Sequence, residues 1–223
     1  MSNKLLCILT GVAIACLSGG GALASNNKAM DADIHSVEIQ WEHIKFDEDG
    51  SPNQLQHIDA LAKFADGLVQ KYPGKVEPLI WDGIVTSEEA GMAGSLSAMG
   101  YAKKAKAILD EAYAKNPAAL DAGAPTSLGV LYSRVPGWPL GFGDNDKARA
   151  LLAQAVSLAP NGMDANYFYA DFLMAQQEYA AADKVLRHAL ALPPQNNRPL
   201  WDKNRRAVIR ELLAKAEAKA AAN

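Results

Sequence analysis

The chain has 223 residues, of which 49% are hydrophobic and 21% are charged, and its formal net charge is −3. These values are typical of a globular protein with one sizeable core. The acidic balance argues against nucleic acid as a partner, because phosphate binding requires a basic face. Two cysteines, Cys7 and Cys16, are too few for a disulfide framework or a cysteine zinc site.

The first 24 residues have the three parts of a secretory signal peptide. Lys4 provides a positive start, residues 5–17 form an apolar run, and Ala-Leu-Ala at 22–24 precedes Ser25 as a cleavage motif. The apolar run is too short for a transmembrane helix, which needs about 20 residues. We therefore expect a signal peptide over 1–24, a mature domain over 25–223 and export to a bacterial periplasm.

An alternative to simple cleavage is a lipoprotein anchored through Cys16. The sequence Ala-Ile-Ala-Cys at 13–16 resembles a loose lipobox, but the apolar stretch before it is short and Ala13 suits the motif less well than leucine. Either route exports the chain. Cleavage after Ala24 leaves a mature chain without cysteine, which folds without difficulty in an oxidising compartment.

A four-position pattern recurs along the chain and predicts its architecture. An alanine, a leucine, a second alanine and a proline stand at spacings of 4, 3 and 5 residues, and two copies are displaced by 34 residues. Positions three and four apart share a helix face, where alanine admits a neighbouring helix and leucine fills the space beside it. The proline then ends the helix. The clear copies are Ala105/Leu109/Ala112/Pro117, Ala148/Leu152/Ala155/Pro160 and Ala182/Leu186/Ala189/Pro194, and a weaker one is Leu61/Ala65/Leu68/Pro73.

A 34-residue unit of this kind is the tetratricopeptide repeat, a helix-turn-helix that stacks on its neighbours. Leu128, Gly129 and Tyr132 also match the first-helix signature of that repeat. We predict an all-α fold, a right-handed helical solenoid of about four tetratricopeptide-like helix pairs plus a C-terminal capping helix. The predicted repeats are 33–73, 76–117, 120–160 and 163–194, with the capping helix over 199–222. The predicted helices are 33–46, 52–72, one from about 77, one ending near 115, 122–133, 145–159, 163–176, 179–192 and one from 199.

The third repeat carries an insertion of about seven residues between its two helices. The inserted loop, 135–144, is rich in glycine and proline and yet contains Trp138, Leu140 and Phe142. Such a loop either forms a lip that binds a partner or ligand, or covers the groove between the flanking helices. Asp144, directly before the next helix, is expected to cap it. The other candidate binding residues are Trp81 and Tyr167.

Signals for catalysis are weak throughout the chain. There is no G-x-S-x-G elbow and no H-E-x-x-H pair. Glu88 and Glu89 are interpreted as helix-end chemistry or a solvated face. We therefore predict no enzyme activity, no catalytic residue, no cofactor and no metal site.

Beyond the repeat itself, the chain resembles the T component associated with some TRAP-type transporters. The resemblance rests on degenerate tetratricopeptide repeats behind a signal peptide, and on a Pro-Gly-rich loop followed by Gly143, Asp144, Lys147 and Ala148. It implies a periplasmic repeat protein, often oligomeric, that pairs with the substrate-binding protein of the transporter and encloses an apolar channel. Members of this group are lipoproteins, whereas this chain favours simple cleavage.

Two function classes follow from the predicted solenoid. The first is a scaffold for protein–protein interaction, because stacked helix pairs present a concave surface to a peptide or protein edge. Its specific version is an accessory of a TRAP-type transporter, and a general envelope assembly scaffold is the broader one. The second class is a small apolar-ligand-binding protein with an internal helical cavity. The expected partner is another protein, with a homo-oligomer and a small apolar ligand as alternatives and no nucleic acid.

Overall fold

A computed structural model describes the backbone of residues 19–221 and the side chains of 27–94 and 97–221. Within those residues the fold is an all-α solenoid of nine α-helices without a β-strand, which confirms the predicted fold class. The helices are α1 Gly19–Glu42, α2 Gln54–Lys71, α3 Val76–Met92, α4 Ser95–Lys115, α5 Ala119–Arg134, α6 Asn145–Leu158, α7 Met163–Ala175, α8 Tyr179–Ala191 and α9 Pro199–Ala221.

The repeat positions form the contacts between paired helices. α3 packs on α4, α5 on α6 and α7 on α8, while α3, α5 and α7 lie side by side. The two alanines and the leucine of each clear copy are fully buried, at 0% exposure in all nine cases. The weaker copy in α2 is also buried, with Leu61, Ala65 and Leu68 at 1–3%. Small and large side chains therefore alternate along the core as the spacing predicts.

Most predicted helix ends agree with the structure to within one to three residues, but the first helix was predicted to start too late. It begins at Gly19, not near residue 33, and continues from Glu42 into a π-helical turn, His43–Asp47. Met30 is buried in line with Ile34 and Val37, which extends the apolar face towards the N-terminus. The predicted cleavage point after Ala24 falls inside α1, and residues 1–18 of the predicted signal peptide lie outside the described residues.

The start of α5 has an unusual backbone. Leu120, Asp121 and Ala122 have φ values of 48°, 51° and 60°, so three successive non-glycine residues are left-handed before the regular helix continues. Each such residue costs roughly 1–2 kcal/mol relative to right-handed backbone. Surrounding contacts therefore hold this turn, in which Ala122 is fully buried and Asp121 is exposed.

The two ends of the solenoid touch each other. The π-helical turn after α1 contacts α9, and the largest apolar cluster runs from Ile34 and Trp41 through Trp81 to Trp201 and Ile209. These contacts bring the first and last helices of the described chain together. None of the helices within residues 19–221 is both long enough and apolar enough to cross a membrane.

Candidate functional site

The described residues form a groove of about 920 Å³, here called the central groove. Most of its lining residues come from α3, α5 and α7, and others come from α1 and α9. This volume is within the range of binding pockets, about 300–1,000 Å³. Its apolar lining residues include Trp41, Ile80, Trp81, Ile84, Val130, Phe168 and Trp201.

Three tryptophans from distant parts of the chain meet at one side of the central groove. Trp41 of α1 and Trp81 of α3 are in edge-to-face contact, with ring centroids 6.0 Å apart. Trp201 of α9 joins them through Arg198, whose guanidinium lies 5.6 Å from the Trp81 ring centroid and 5.0 Å from the Trp201 ring centroid. All three indoles are at least 94% buried, so their ring edges rather than whole rings reach the groove.

Arg198 forms an ion pair with a carboxylate of the first helix. Glu42, 1% exposed, accepts from the Arg198 Nε and from the Trp201 backbone N–H, the latter at 3.3 Å. Glu38 is a second carboxylate nearby, 3.7 Å from the Arg198 Nη1. This cluster links the end of α1 to the start of α9.

The charged side chains around the central groove are mostly paired. Each of its four cations lies within 4 Å of a carboxylate, so each is neutralised locally. The pairs are Lys45–Glu88 at 2.7 Å, Arg134–Asp171 at 3.2 Å, Arg205–Asp164 at 2.7 Å and Arg198–Glu42.

Two carboxylates of the groove have no such partner. Asp49, in the turn before α2, and Asp121, in the left-handed turn before α5, both line the groove and are exposed. Neither makes an ion pair or side-chain hydrogen bond with any residue that the structure describes. The groove is therefore acidic on balance.

The inserted loop combines a buried base with an exposed tip. Phe142 packs against Tyr132, with ring centroids 5.6 Å apart, and against the core of α4 and α5. Trp138 and Leu140 point into solvent and are 90% and 77% exposed. The loop is closed by a bond from the Gly143 N–H to the Pro136 carbonyl at 2.9 Å. Phe142 therefore covers the neighbouring helices, which was one of the two predicted roles of the loop. Trp138 and Leu140 at the loop tip do not, and they remain candidates for a binding lip.

Glycine is required at position 143, where the end of the loop packs against the backbone of its start. A Cβ on Gly143 would stand 1.8 Å from the Val135 carbonyl oxygen. Directly after the crossing, Asp144 caps α6 by accepting from the backbone N–H groups of Asp146 and Lys147, both at 3.1 Å, as predicted. These bonds, with the one from Lys147 foremost, lower the pKa of Asp144 below its usual value.

The five predicted binding residues do not form one site. Trp81 lines the central groove, whereas Trp138, Leu140 and Phe142 belong to the loop at its rim. Tyr167 lies under the Arg205 guanidinium, 4.3 Å from it, and burial raises its pKa. Sequence reasoning missed Phe168, the next residue, which does line the groove; on a helix the two side chains differ by about 100°.

Of the two interpretations of Glu89, helix-end chemistry or a solvated face, the structure contradicts the second. Glu89 is 5% exposed and faces Asp59 of α2, Asp82 of its own helix and Lys104 of α4, so it does not belong to a solvated face. Burial, with the neighbouring Asp59 carboxyl, raises its pKa to about 7, and burial raises the pKa of Asp82 to about 6. Within the described part of the chain no three acidic or histidine side chains converge as metal ligands.

The comparisons with known proteins agree with this architecture. Residues 140–203 match the tetratricopeptide repeat family. The matched segment runs from Leu140 in the inserted loop through α6, α7 and α8 to the start of α9. No curated protein matches the chain significantly.

The comparison with solved structures gives two matches over most of the chain. TTC0263, a thermophilic TPR protein in Thermus thermophilus, is 18% identical with a TM-score of 0.56, and the match covers 87% of this chain and 95% of that one. A point mutant of MamA is 15% identical with a TM-score of 0.42, over 89% and 99% of the two chains. The first likeness shows a common fold, and the second is too weak to add to it.

Proposed function

We propose that this tetratricopeptide-repeat protein is a non-catalytic scaffold that holds an extended segment of a partner polypeptide in the central groove. The observation that carries the proposal is the central groove, which has a volume of about 920 Å³ and is lined mostly by α3, α5 and α7, the first helices of three successive helix pairs. The tetratricopeptide fold is a scaffold for protein–protein interaction, and its concave surface suits an extended chain.

The composition of the groove favours a polypeptide over a small apolar ligand. Nine charged residues lie among seventeen hydrophobic ones in its lining, so the surface is mixed and carries more charged groups than are needed to orient one small ligand. A pocket for an apolar molecule is mostly hydrophobic, with only a few polar groups to fix orientation. A polypeptide offers both charged and apolar side chains along its length and can match such a surface.

We further propose that the protein acts after export and pairs with the substrate-binding protein of a TRAP-type transporter. The N-terminal leader supports export, and the resemblance at 143–148 supports the transporter link. N-terminal sequencing of the protein from a periplasmic extract tests the first step, with Ser25 expected as the first residue. An uncleaved chain in the cytoplasm would remove the transporter link.

The groove is tested by filling it. Ser127 is a half-buried lining residue of α5, so Ser127→Trp places a bulky side chain inside the groove. Ser157→Trp is the matched control, because Ser157 is exposed on α6 and does not line the groove. Both variants and the wild type are compared by affinity capture from periplasmic extract and by circular dichroism.

We expect a partner that is retained by the wild type and by Ser157→Trp but lost by folded Ser127→Trp. A substrate-binding protein in that position supports the transporter role, and any other protein limits the proposal to a general scaffold. If the captured proteins are the same for all three chains, the groove is not the binding surface.

A further inference from the structure

We infer that the central groove selects a cationic segment, an extended polypeptide bearing lysine or arginine side chains among apolar ones. This inference rests on the proposed function and names the chemistry of the partner. The acidic and basic side chains around the groove are unequal in number.

Among the described residues, every cation of the groove is already paired, so none is free to bind an acidic partner. Lys45, Arg134, Arg198 and Arg205 each already contact a carboxylate of this chain. Arg198 and Arg205 are also mostly buried, which prevents them from turning towards a ligand. A glutamate- or aspartate-rich segment would have to break one of these pairs and leave a carboxylate of the protein unpaired.

Carboxylates are in excess on the same surface. Five acidic and four basic residues line the groove, and two more carboxylates, Glu42 and Asp171, lie outside the lining but neutralise two of its cations. Seven carboxylates therefore face four cations. The excess is represented by the unpaired Asp49 and Asp121 and by Glu38, which shares Arg198 with Glu42.

The two unpaired carboxylates come from different walls. Asp49 precedes α2, while Asp121 precedes the regular part of α5 and is held by the left-handed backbone of residues 120–122. The same groove is lined by Ile84, Leu120 and aromatic rings, which suit the aliphatic stems of lysine and arginine. A segment lying along the groove can place its cations at both carboxylates and its apolar side chains on this lining.

The test uses a displayed library of random peptides of about 12 residues, which span roughly 40 Å when extended. Peptides that bind are selected from the library on the mature chain, residues 25–223, and on three variants of it. Ser127→Trp blocks the groove. Asp49→Asn with Asp121→Asn removes the unpaired charges, and asparagine tolerates left-handed backbone as aspartate does. Asp31→Asn with Glu211→Gln changes the net charge equally at two exposed residues that neither line the groove nor make ion pairs.

Peptides enriched on the wild type and lost on Ser127→Trp should carry an excess of lysine and arginine. One such peptide, synthesised, should bind the Asp49/Asp121 variant about tenfold more weakly and the Asp31/Glu211 variant as well as the wild type. Raising salt from about 50 mM to about 500 mM should weaken binding to the wild type more than to the Asp49/Asp121 variant.

The failures of the two proposals are separable. Groove-dependent peptides that are neutral or acidic overturn the cationic preference and leave the groove as a binding site. Equal binding of a cationic peptide by both double variants also overturns it. If no enriched peptide depends on the groove, the proposed function falls together with the inference.

Discussion

Glu42 and Arg198 form an ion pair that joins residues 156 positions apart in the chain. Glu42 ends the first helix and Arg198 directly precedes the last one, so the pair connects the two ends of the solenoid. Glu42 is almost completely buried, and the arginine side chain is 14% exposed. Because a buried charge is tolerated only when it is paired, each member holds the other in place.

Removal of the arginine should therefore destabilise the protein strongly. Arg198→Met leaves Glu42 buried without its partner, and we expect a loss of about 3–5 kcal/mol in the free energy of unfolding, measured in urea. Removing both charges with Glu42→Met and Arg198→Met should recover most of it. Arg187→Met, which breaks an exposed pair with Asp183 and Glu217, is the control and should change the midpoint little. A small effect of Arg198→Met would mean that the ends are held by apolar contacts alone.

The two parts of the inserted loop should respond differently to truncation. Trp138→Ala with Leu140→Ala removes exposed side chains, so the melting temperature should stay unchanged while any binding through the tip is lost. Phe142→Ala removes a half-buried ring from the core of α4 and α5 and should cost about 2 kcal/mol. Thermal melts of both variants distinguish the cases. Equal losses would show that the tip is also part of the packed structure.

The buried Glu89 should make the stability depend on pH. Its pKa of about 7 lies above the usual value of 4.5, so between these pH values the folded chain keeps a proton that the unfolded chain has released. Stability must then fall as the pH rises from about 5 to about 8, by on the order of 2 kcal/mol from this group. Glu89→Gln should melt like the wild type at pH 5 and at a higher temperature at pH 8. Glu211→Gln, an exposed control, should keep the slope of the wild type.

Gly83 and Gly129 each lie in close contact with a leucine of the paired helix, at positions where a larger residue would clash. A Cβ on Gly83 would lie 2.5 Å from the Leu109 Cγ, and one on Gly129 would lie 2.6 Å from the Leu152 Cγ. Overpacking costs about 1–3 kcal/mol, and the better helix propensity of alanine returns about 1 kcal/mol. Gly83→Ala and Gly129→Ala should therefore lower the unfolding free energy. Gly67→Ala, where no atom lies within 4 Å, should raise it, and a gain in all three would show that the leucines can move aside.

Local patterns in the sequence predict much of this fold. The spacing of Ala148, Leu152 and Ala155, repeated 34 residues later, identifies side chains that the structure buries completely, because small–large alternation on one face depends only on neighbouring turns. The cap at Asp144 and the helix ends before the prolines have equally local causes. The existence and order of the helices follow from these signals.

The groove depends on relations that no local pattern contains. The contact of Glu42 with Arg198 and the meeting of Trp41 with Trp81 arise only after the solenoid has curved through several repeats. The left-handed turn at Leu120 and Ala122 also has no composition signal, since neither residue type favours that backbone. Helical periodicity likewise does not separate the concave wall from the contact between repeats, which is why Tyr167 was predicted in place of Phe168.

The four tryptophans of the chain fall into two groups that should differ in their fluorescence. Trp41, Trp81 and Trp201 lie in a largely dry cluster against the groove, whereas Trp138 is surrounded by water. Native fluorescence is consequently a sum of a blue-shifted, shielded component and a red-shifted one that soluble quenchers reach. Replacing Trp138 with phenylalanine isolates the shielded component, and the protein then carries its own label-free reporter of groove occupancy.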